Sequence, residues 1–227
     1  MTPIVLPLVL AVAGGLLGHR SATVLATGGY RIDEDDAVGP AGRRWWPPVA
    51  LALGWAVLAL RLGQVAHGAA LPAYLLLGWL TVCLTWIDLD VHRLPNGLVL
   101  PAYPALAALL GIAAVADGGT HWRSALIGGA AAWLVFRVLA LVPGGGLGLG
   151  DVKVAGLLGM ALGWLSLGHV VLGLALAFVI GGVVSLVLLI TRRVNLRSSV
   201  AFGPSLCVAA LVVAAWGPDL LTWMVTG

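Results

Sequence analysis

Two acidic residues of this sequence stand beside apolar stretches in positions that suggest catalysis. Asp88 lies in LTWIDLDVHRLPN, and Asp151 lies in GLGLGDVKV. Two carboxyl groups held close together share a proton, so one can activate a water molecule while the other polarises a carbonyl and later protonates the leaving amine. If the two segments meet, the pair predicts aspartyl proteolysis. A helix dipole would favour charge on Asp151, at a helix start, over Asp88, at a helix end.

The amino-acid composition indicates whether the protein around these acids is soluble or embedded in a membrane. Hydrophobic residues make up 61% of the 227 residues and charged residues 9%, whereas a globular domain usually has about 25% charged residues. Mean hydropathy is +1.07. The chain is therefore predicted to be a membrane protein. Cys83 and Cys207 lie inside apolar runs without a CxxC pair, which predicts buried small side chains and no zinc or disulfide framework.

The apolar segments predict an all-α membrane protein with about eight transmembrane helices. A spanning helix needs about 20 mostly apolar residues. The candidate spans are residues 3–18, 47–63, 70–88, 97–116, 125–142, 152–166, 168–191 and 201–218. Soft boundaries leave seven or nine spans open. We expect one polytopic membrane peptidase domain over residues 1–227, with a short cytoplasmic loop at 19–46. The acidic run at 33–36 is expected to be solvated in that loop.

The charges predict an orientation with the N-terminus outside. No basic residue precedes the first span, which favours a retained helix over a cleaved signal peptide. In this orientation the outer loops hold Arg61 and Arg123, and the inner loops hold Arg20, Arg31, Arg43, Arg44, Arg93, Lys153, Arg192, Arg193 and Arg197. Because positive charge concentrates inside, the face with Asp88 and Asp151 is expected to be cytoplasmic.

The same topology accounts for the net charge of +3 without a nucleic-acid partner, because the basic residues flank apolar spans and form no single patch. The lipid bilayer is the expected surrounding partner. Trp45, Trp46 and Trp86 are predicted to anchor helices at the inner interface. Arg137 lies within the fifth span, where snorkelling and pairing with an internal acid are both open.

Glycines precede Asp151 and give a backbone with few side chains. Gly144, Gly145 and Gly146 lead to Gly148 and Gly150, an arrangement that would let a substrate backbone approach or let the loop move. A phosphate-binding loop is excluded, because Asp151 stands where the Walker motif requires a lysine.

Three segments together resemble a known family. They are Asp88 with Pro95-Asn96 shortly after it, Gly148-Leu149-Gly150-Asp151-Val152-Lys153, and Ala201-Phe202-Gly203-Pro204-Ser205. This set is similar to the signature segments of the type IV prepilin leader peptidases, the GxGD class of intramembrane aspartyl proteases. The similarity covers essentially the whole chain.

The resemblance implies a multi-pass enzyme of the bacterial inner membrane that works without metal or other cofactor. Its substrates would be prepilins or pseudopilins, single-helix membrane proteins whose short positive leader is cut at the cytoplasmic face. Asp88 and Asp151 would be catalytic, and motif support would come from Gly148, Gly150, Lys153, Pro95 and Asn96. The resemblance implies nothing about oligomeric state.

The supporting residues carry weaker expectations. Lys153 could take part in catalysis or snorkel to the inner face. Pro95 and Asn96 are expected to end one helix and cap the next. Asp90 is expected to face water.

One departure from the longer family members concerns methylation. Those members carry CxxC motifs and an N-methyltransferase segment between the first two spans, whereas this interval holds no cysteine. A short form with peptidase activity alone is therefore expected.

Two other function classes stay open at this stage. A proton-coupled transporter could use Asp88 and Asp151, although such acids usually lie near the membrane midplane between repeated halves. A non-catalytic membrane subunit of a pilus or secretion apparatus would need no carboxyl pair.

Overall fold

The computed structural model describes residues 4–31, 44–62, 68–116, 119, 121–142, 147–192 and 201–226, with side chains up to residue 222. Within these residues the chain forms eight α-helices and a 3₁₀ turn, Gly68–Ala70, without a strand. The helices are α1 Val5–Leu25, α2 Trp46–Leu62, α3 Leu71–Val91, α4 Asn96–Ala116, α5 Trp122–Leu139, α6 Leu149–Leu165, α7 Leu167–Ile190 and α8 Gly203–Thr226. The predicted all-α class is confirmed.

Six segments are long and apolar enough to cross a membrane: Val5–Leu25, Gly68–Val91, Asn96–Ala116, Trp122–Leu139, Leu167–Ile190 and Gly203–Thr222. The apolar helix α2 is shorter, with 17 residues. Helix α6 also has 17 residues and carries Asp151 and Lys153 in its first turns. These helices agree with a multi-pass membrane protein.

The first helix is longer than the sequence predicted. It continues to Leu25 rather than ending at residue 18, because residues 19–25 contain no helix breaker. The connector predicted from residue 19 therefore begins later. The acidic run at 33–36 lies outside the described residues.

The helices fall into two compact units, with the division between Trp122 and Arg123. In the first unit, α1 packs on α2 through glycines one turn apart. A Cβ atom on Gly14 would lie 2.8 Å from the carbonyl oxygen of Leu51, and one on Gly18 would lie 2.8 Å from that of Pro47. Small residues let apolar helices approach backbone to backbone.

In the second unit, α5 and α6 make the same kind of contact. A Cβ atom on Gly159 would lie 2.6 Å from the carbonyl oxygen of Gly128, and one on Gly163 would lie 2.5 Å from that of Ser124. Helix α6 is buried along most of its length. Close packing on α5 therefore fixes the helix that carries Asp151.

Three phenylalanines join α5, α7 and the start of α8. The ring of Phe136 is 5.6 Å from that of Phe178 and 6.1 Å from that of Phe202, and the Phe178 and Phe202 rings are 5.3 Å apart. Phe202 belongs to the segment Ala201–Ser205 singled out in the sequence. Here it is half-buried and packs against the rings of Phe136 and Phe178. The prediction that Cys83 and Cys207 are buried is also confirmed.

Candidate active site

Asp88 lies in the last turn of α3 and is 4% exposed. The helix ends after Val91 because His92 adopts the left-handed conformation, with φ of 51°. The backbone N–H of His92 donates to the carbonyl oxygen of Asp88 at 3.0 Å. This bond closes the helix with the left-handed capping pattern. The turn that holds Asp88 is thus a defined helix terminus.

Pro95 and Asn96 begin the next helix. The carbonyl oxygen of Pro95 accepts hydrogen bonds from the backbone N–H groups of Leu98 and Val99, each at 3.1 Å. Asn96 is the first helical residue of α4 and is exposed. Pro95 was expected to end the first of these helices, but His92 ends α3, and the carbonyl oxygen of Pro95 accepts the first hydrogen bonds of α4.

The expectation that Asp90 faces water is wrong. Its side chain is 12% exposed and pairs with residues that follow α1. The Arg31 guanidinium donates from Nε to Oδ2 and from Nη2 to Oδ1, each at 2.9 Å. The Tyr30 hydroxyl donates to Oδ2 at 2.6 Å. A bidentate arginine–carboxylate pair has fixed geometry and is stronger than a single hydrogen bond between neutral groups.

Trp86, one turn before Asp90, belongs to the same network. Its indole N–H donates to the Tyr30 hydroxyl at 3.1 Å. Arg44 lies over the Trp86 ring at 4.9 Å and donates to the Trp86 carbonyl oxygen at 3.2 Å. Arg44 Nη2 is also 3.7 Å from Asp90 Oδ1. We call these five residues, Tyr30, Arg31, Arg44, Trp86 and Asp90, the Asp90 clamp.

The clamp corrects the prediction for Trp86, which is 1% exposed and therefore packs inside the protein instead of anchoring its helix through contact with the lipid interface. Tyr30 and Arg31 follow α1 and lie outside the apolar helices. Burial and the hydrogen bond to Asp90 raise the pKa of Tyr30. The hydrogen bond to Asp90 also raises the pKa of Arg31. Both groups therefore stay protonated donors near neutral pH.

Sequence reasoning missed the clamp, although one signal pointed to it. Asp88 and Asp90 are two positions apart, so they leave an α-helix on nearly opposite sides. If Asp88 faces a catalytic partner, the Asp90 side chain must therefore pair with different residues on the other side of the helix. The sequence indicated Arg31 and Arg44 only as topology signals, because contacts 42 to 59 residues apart leave no periodic pattern in the sequence.

An apolar cavity of about 500 Å³ lies beside the turn that holds Asp88. It is lined by residues of α1, α3 and α4 and by Tyr30, with Ile87 next to Asp88 in the chain. Its lining residues are Leu17, Arg20, Ser21, Val24, Leu25, Tyr30, Trp79, Cys83, Ile87, Pro95, Gly97 and Leu98. A side chain added at Gly97 would meet no atom within 4 Å. This volume is within the range of small-ligand sites.

Asp151 lies in the first turn of α6 and is 8% exposed. The backbone N–H of Gly148, which precedes the helix, donates to Asp151 Oδ2 at 3.0 Å. A carboxylate at this position satisfies one of the free N–H groups of a helix start and lies at the positive end of the helix dipole. The chain therefore holds this carboxyl group through its own adjacent backbone.

Gly148 has φ of −80° and ψ of 156°, which other residues adopt readily. An added Cβ atom would lie 3.5 Å from Asp151 Oδ2, an ordinary contact. The structure therefore uses the N–H group of Gly148 rather than its conformational freedom. The preceding Gly144, Gly145 and Gly146 lie outside the described residues.

Three further residues from the sequence analysis have defined positions. Gly150 is half-buried in the first turn of α6, and Lys153 is half-buried slightly farther along. Arg137 is half-buried in the last turn of α5. In the described part of the chain, no group of three or more His, Cys, Asp or Glu residues could hold a metal ion.

Asp88 belongs to the first unit and Asp151 to the second. Both carboxyl groups are buried at a helix terminus, one at an end and one at a start. Their action as a pair stays a prediction, as do the supporting roles of Gly148, Gly150, Lys153, Pro95 and Asn96.

Comparisons with known proteins agree on one family. Residues 74–186 match the type IV leader peptidase family. A prepilin leader peptidase/N-methyltransferase of Aeromonas hydrophila is 34% identical over 71% of this chain and 55% of its own length. Those of Aeromonas salmonicida and Stutzerimonas stutzeri are 35% and 32% identical, over 66% and 65% of this chain and 51% and 50% of theirs. The chain spans about half the length of these relatives, and no solved structure matches it.

Proposed function

Because this chain belongs to the type IV leader peptidase family, we propose that it is an aspartic endopeptidase that removes the N-terminal leader from prepilins or pseudopilins. The observation that carries the proposal is the family match over residues 74–186, which includes both Asp88 and Asp151. The burial of both carboxyl groups supports it, because buried acids at helix termini are costly unless they are paired or used.

In the proposed reaction the two aspartates share one proton and hold one water molecule. The Asp151 carboxylate, fixed by the N–H of Gly148, accepts a proton from the water as its oxygen attacks the scissile carbonyl carbon. Asp88, protonated at the start, donates to the carbonyl oxygen. When the tetrahedral intermediate collapses, the C–N bond breaks and the proton of Asp88 passes to the leaving nitrogen, so the dyad keeps the one proton that Asp151 took from the water. The products are a leader carboxylic acid and a new N-terminal amine.

We place the reaction at the cytoplasmic face of the bacterial inner membrane. The distribution of Lys and Arg between expected inner and outer loops supports this orientation. In it, the ends of the helices that carry Asp88 and Asp151 lie at the inner boundary of the bilayer. A positively charged leader would then be cut on the side where it is made.

The apolar cavity beside Asp88 supplies a place for the substrate. Its walls are almost entirely apolar, and it extends along α1, α3 and α4 next to Ile87. Apolar side chains on the membrane helix of a prepilin would lose contact with lipid and gain packing contacts there. Docking in this cavity would hold the adjacent peptide bond near Asp88.

The proposed activity is limited to cleavage. The relatives are named for both peptidase and N-methyltransferase activity, but the interval between α1 and α2 holds no cysteine. Purified protein, S-adenosylmethionine and a cleaved pilin should give no N-methylated product by mass spectrometry. Methyl transfer at a rate similar to cleavage would refute this limit.

The peptidase proposal is tested with the purified chain in liposomes and a candidate prepilin. Mass spectrometry should find a free leader and a shortened pilin, with the same rate in the presence of a chelator because the mechanism uses no metal. Loss of cleavage on chelation, restored by added zinc, would contradict the aspartyl mechanism. A matched prepilin with proline after the scissile bond serves as the uncleaved control.

A further inference from the structure

The Asp90 clamp joins the last turn of α3 to segments that are distant in sequence. Tyr30 and Arg31 follow α1, and Arg44 precedes α2. All three contact Asp90, at 2.6 Å, 2.9 Å and 3.7 Å. The turn that holds Asp88 is therefore fixed on one side by charged and polar contacts from both ends of the connection between α1 and α2.

The clamp acts on one face of the helix. Trp86 and Asp90 are four residues apart and share a face, and both are bound by Tyr30 and Arg44. Asp88 lies two residues from each, which places its side chain about 160–200° around the helix axis. The clamp residues from outside α3 therefore contact the side of this helix opposite Asp88.

The contacts of the Asp90 clamp on one side of the helix fix the rotation of the last turn about the helix axis. This rotation determines the direction of the Asp88 carboxyl group on the opposite side. A carboxyl group about 5 Å from the helix axis moves by about 1 Å when the turn rotates by about 10°. A misplacement of this size can lower an enzymatic rate about 100-fold. The direction of Asp88 is thus sensitive to contacts made on the opposite face of its helix.

From this geometry we propose that Asp90, Arg31 and Tyr30 are positioning residues, which set the rotation of the α3 terminus and thereby aim Asp88 at the reacting peptide bond. The proposal rests on the proposed function, since it takes Asp88 to be catalytic. Asp90 itself neither touches substrate nor exchanges a proton in this account. Its carboxylate serves as the anchor for two arginines and a tyrosine.

The test uses the purified full chain in liposomes, with kcat and KM measured for cleavage of one prepilin. Asp90→Ala and Arg31→Ala should each lower kcat by about 10- to 100-fold and leave KM within about threefold of the native value. Arg31→Lys should give an intermediate kcat, because lysine keeps the charge but cannot form the bidentate pair. Thermal midpoints report whether each variant is folded.

Matched controls remove the same groups elsewhere. Asp219→Ala and Arg123→Ala change exposed residues of the second unit and should leave kcat unchanged. If Asp90→Ala does not fold, Tyr30→Phe and Arg31→Lys each remove only part of the network and should still lower kcat.

The outcomes separate the two proposals. Native kcat in Asp90→Ala and Arg31→Ala, with Asp88→Asn inactive, would overturn the clamp alone. A fall in activity that matches the fraction of unfolded protein would also overturn it, because a positioning role requires a lower kcat in folded enzyme. Native cleavage by Asp88→Asn would overturn the proposed function and the clamp with it.

Discussion

The two helix termini that carry the candidate catalytic acids are built in different ways. At the start of α6, Asp151 is held by the N–H of Gly148, three residues away. At the end of α3, the turn of Asp88 is closed by His92 and gripped through Asp90 by Arg31, about 60 residues away. One carboxyl group is therefore placed by local backbone geometry and the other by tertiary contacts.

Because of this difference, the two acids depend on different parts of the structure for their position and charge. A helix N-terminus stabilises negative charge, whereas a helix C-terminus does not. Asp151 thus suits the role of the charged partner from its local structure alone. Asp88 depends instead on tertiary contacts that fix the orientation of its helical turn. Variants that alter one terminus and leave the other intact test this contrast.

The largest expected effect comes from neutralising either acid. Asp88→Asn and Asp151→Asn should each lower the rate of prepilin cleavage by about 1,000-fold or more, since an amide cannot exchange the proton. Single-turnover cleavage by purified enzyme measures both. The comparison predicts equal severity for the two variants despite their different surroundings. A native rate in either variant would remove that residue from the mechanism.

A smaller effect should follow from removing the local bond at Asp151. Gly148→Pro deletes the donating N–H at a position whose φ of −80° suits proline. Hydrogen bonds to charged groups contribute about 1.5–3 kcal/mol, so cleavage should slow by about 10- to 100-fold.

Gly148→Ala is the matched control for this change, because it keeps the N–H group and its Cβ atom makes only ordinary contacts. It should retain nearly native cleavage and thermal stability. Equal losses in the proline and alanine variants would mean that the glycine itself, and not its N–H group, is what Asp151 requires.

The smallest expected effect concerns substrate binding on the Asp88 side. Gly97→Leu adds a large side chain at a residue that lines the apolar cavity and should raise KM by about 10-fold with kcat little changed, because it removes uniform binding. Gly54→Leu on α2, where an added side chain also meets no atom within 4 Å, is the control. A rise in KM for both variants alike would assign the effect to general disturbance of the membrane helices.

The same contrast explains how much the sequence could predict. Apolar segments predicted the eight α-helices found in the described residues, six of which are long and apolar enough to cross a membrane. The position of Asp151 at a helix start followed from the glycines before it. Signals of this kind depend only on residues that are neighbours in the sequence. The end of α3 was harder, because a left-handed histidine stops the helix before the proline that should have done so.

The Asp90 clamp could not be predicted from local patterns. Asp90 and Trp86 each have an ordinary interpretation at a membrane boundary, as a solvated acid and an interfacial anchor. Only the fold brings Tyr30, Arg31 and Arg44 to them. A bidentate ion pair between distant segments depends on helix packing, which the composition of either segment does not encode.

The central claim is that Asp88 and Asp151 act as one unit, and a double-mutant cycle on the cleavage rate tests it most directly. Catalytic groups that work together are strongly non-additive. Single-turnover rates of Asp88→Asn, Asp151→Asn and the double variant should therefore be equally low, with no further loss in the double variant. A double variant whose loss equals the product of the two single losses would show that the two carboxyl groups act independently, and would contradict the account.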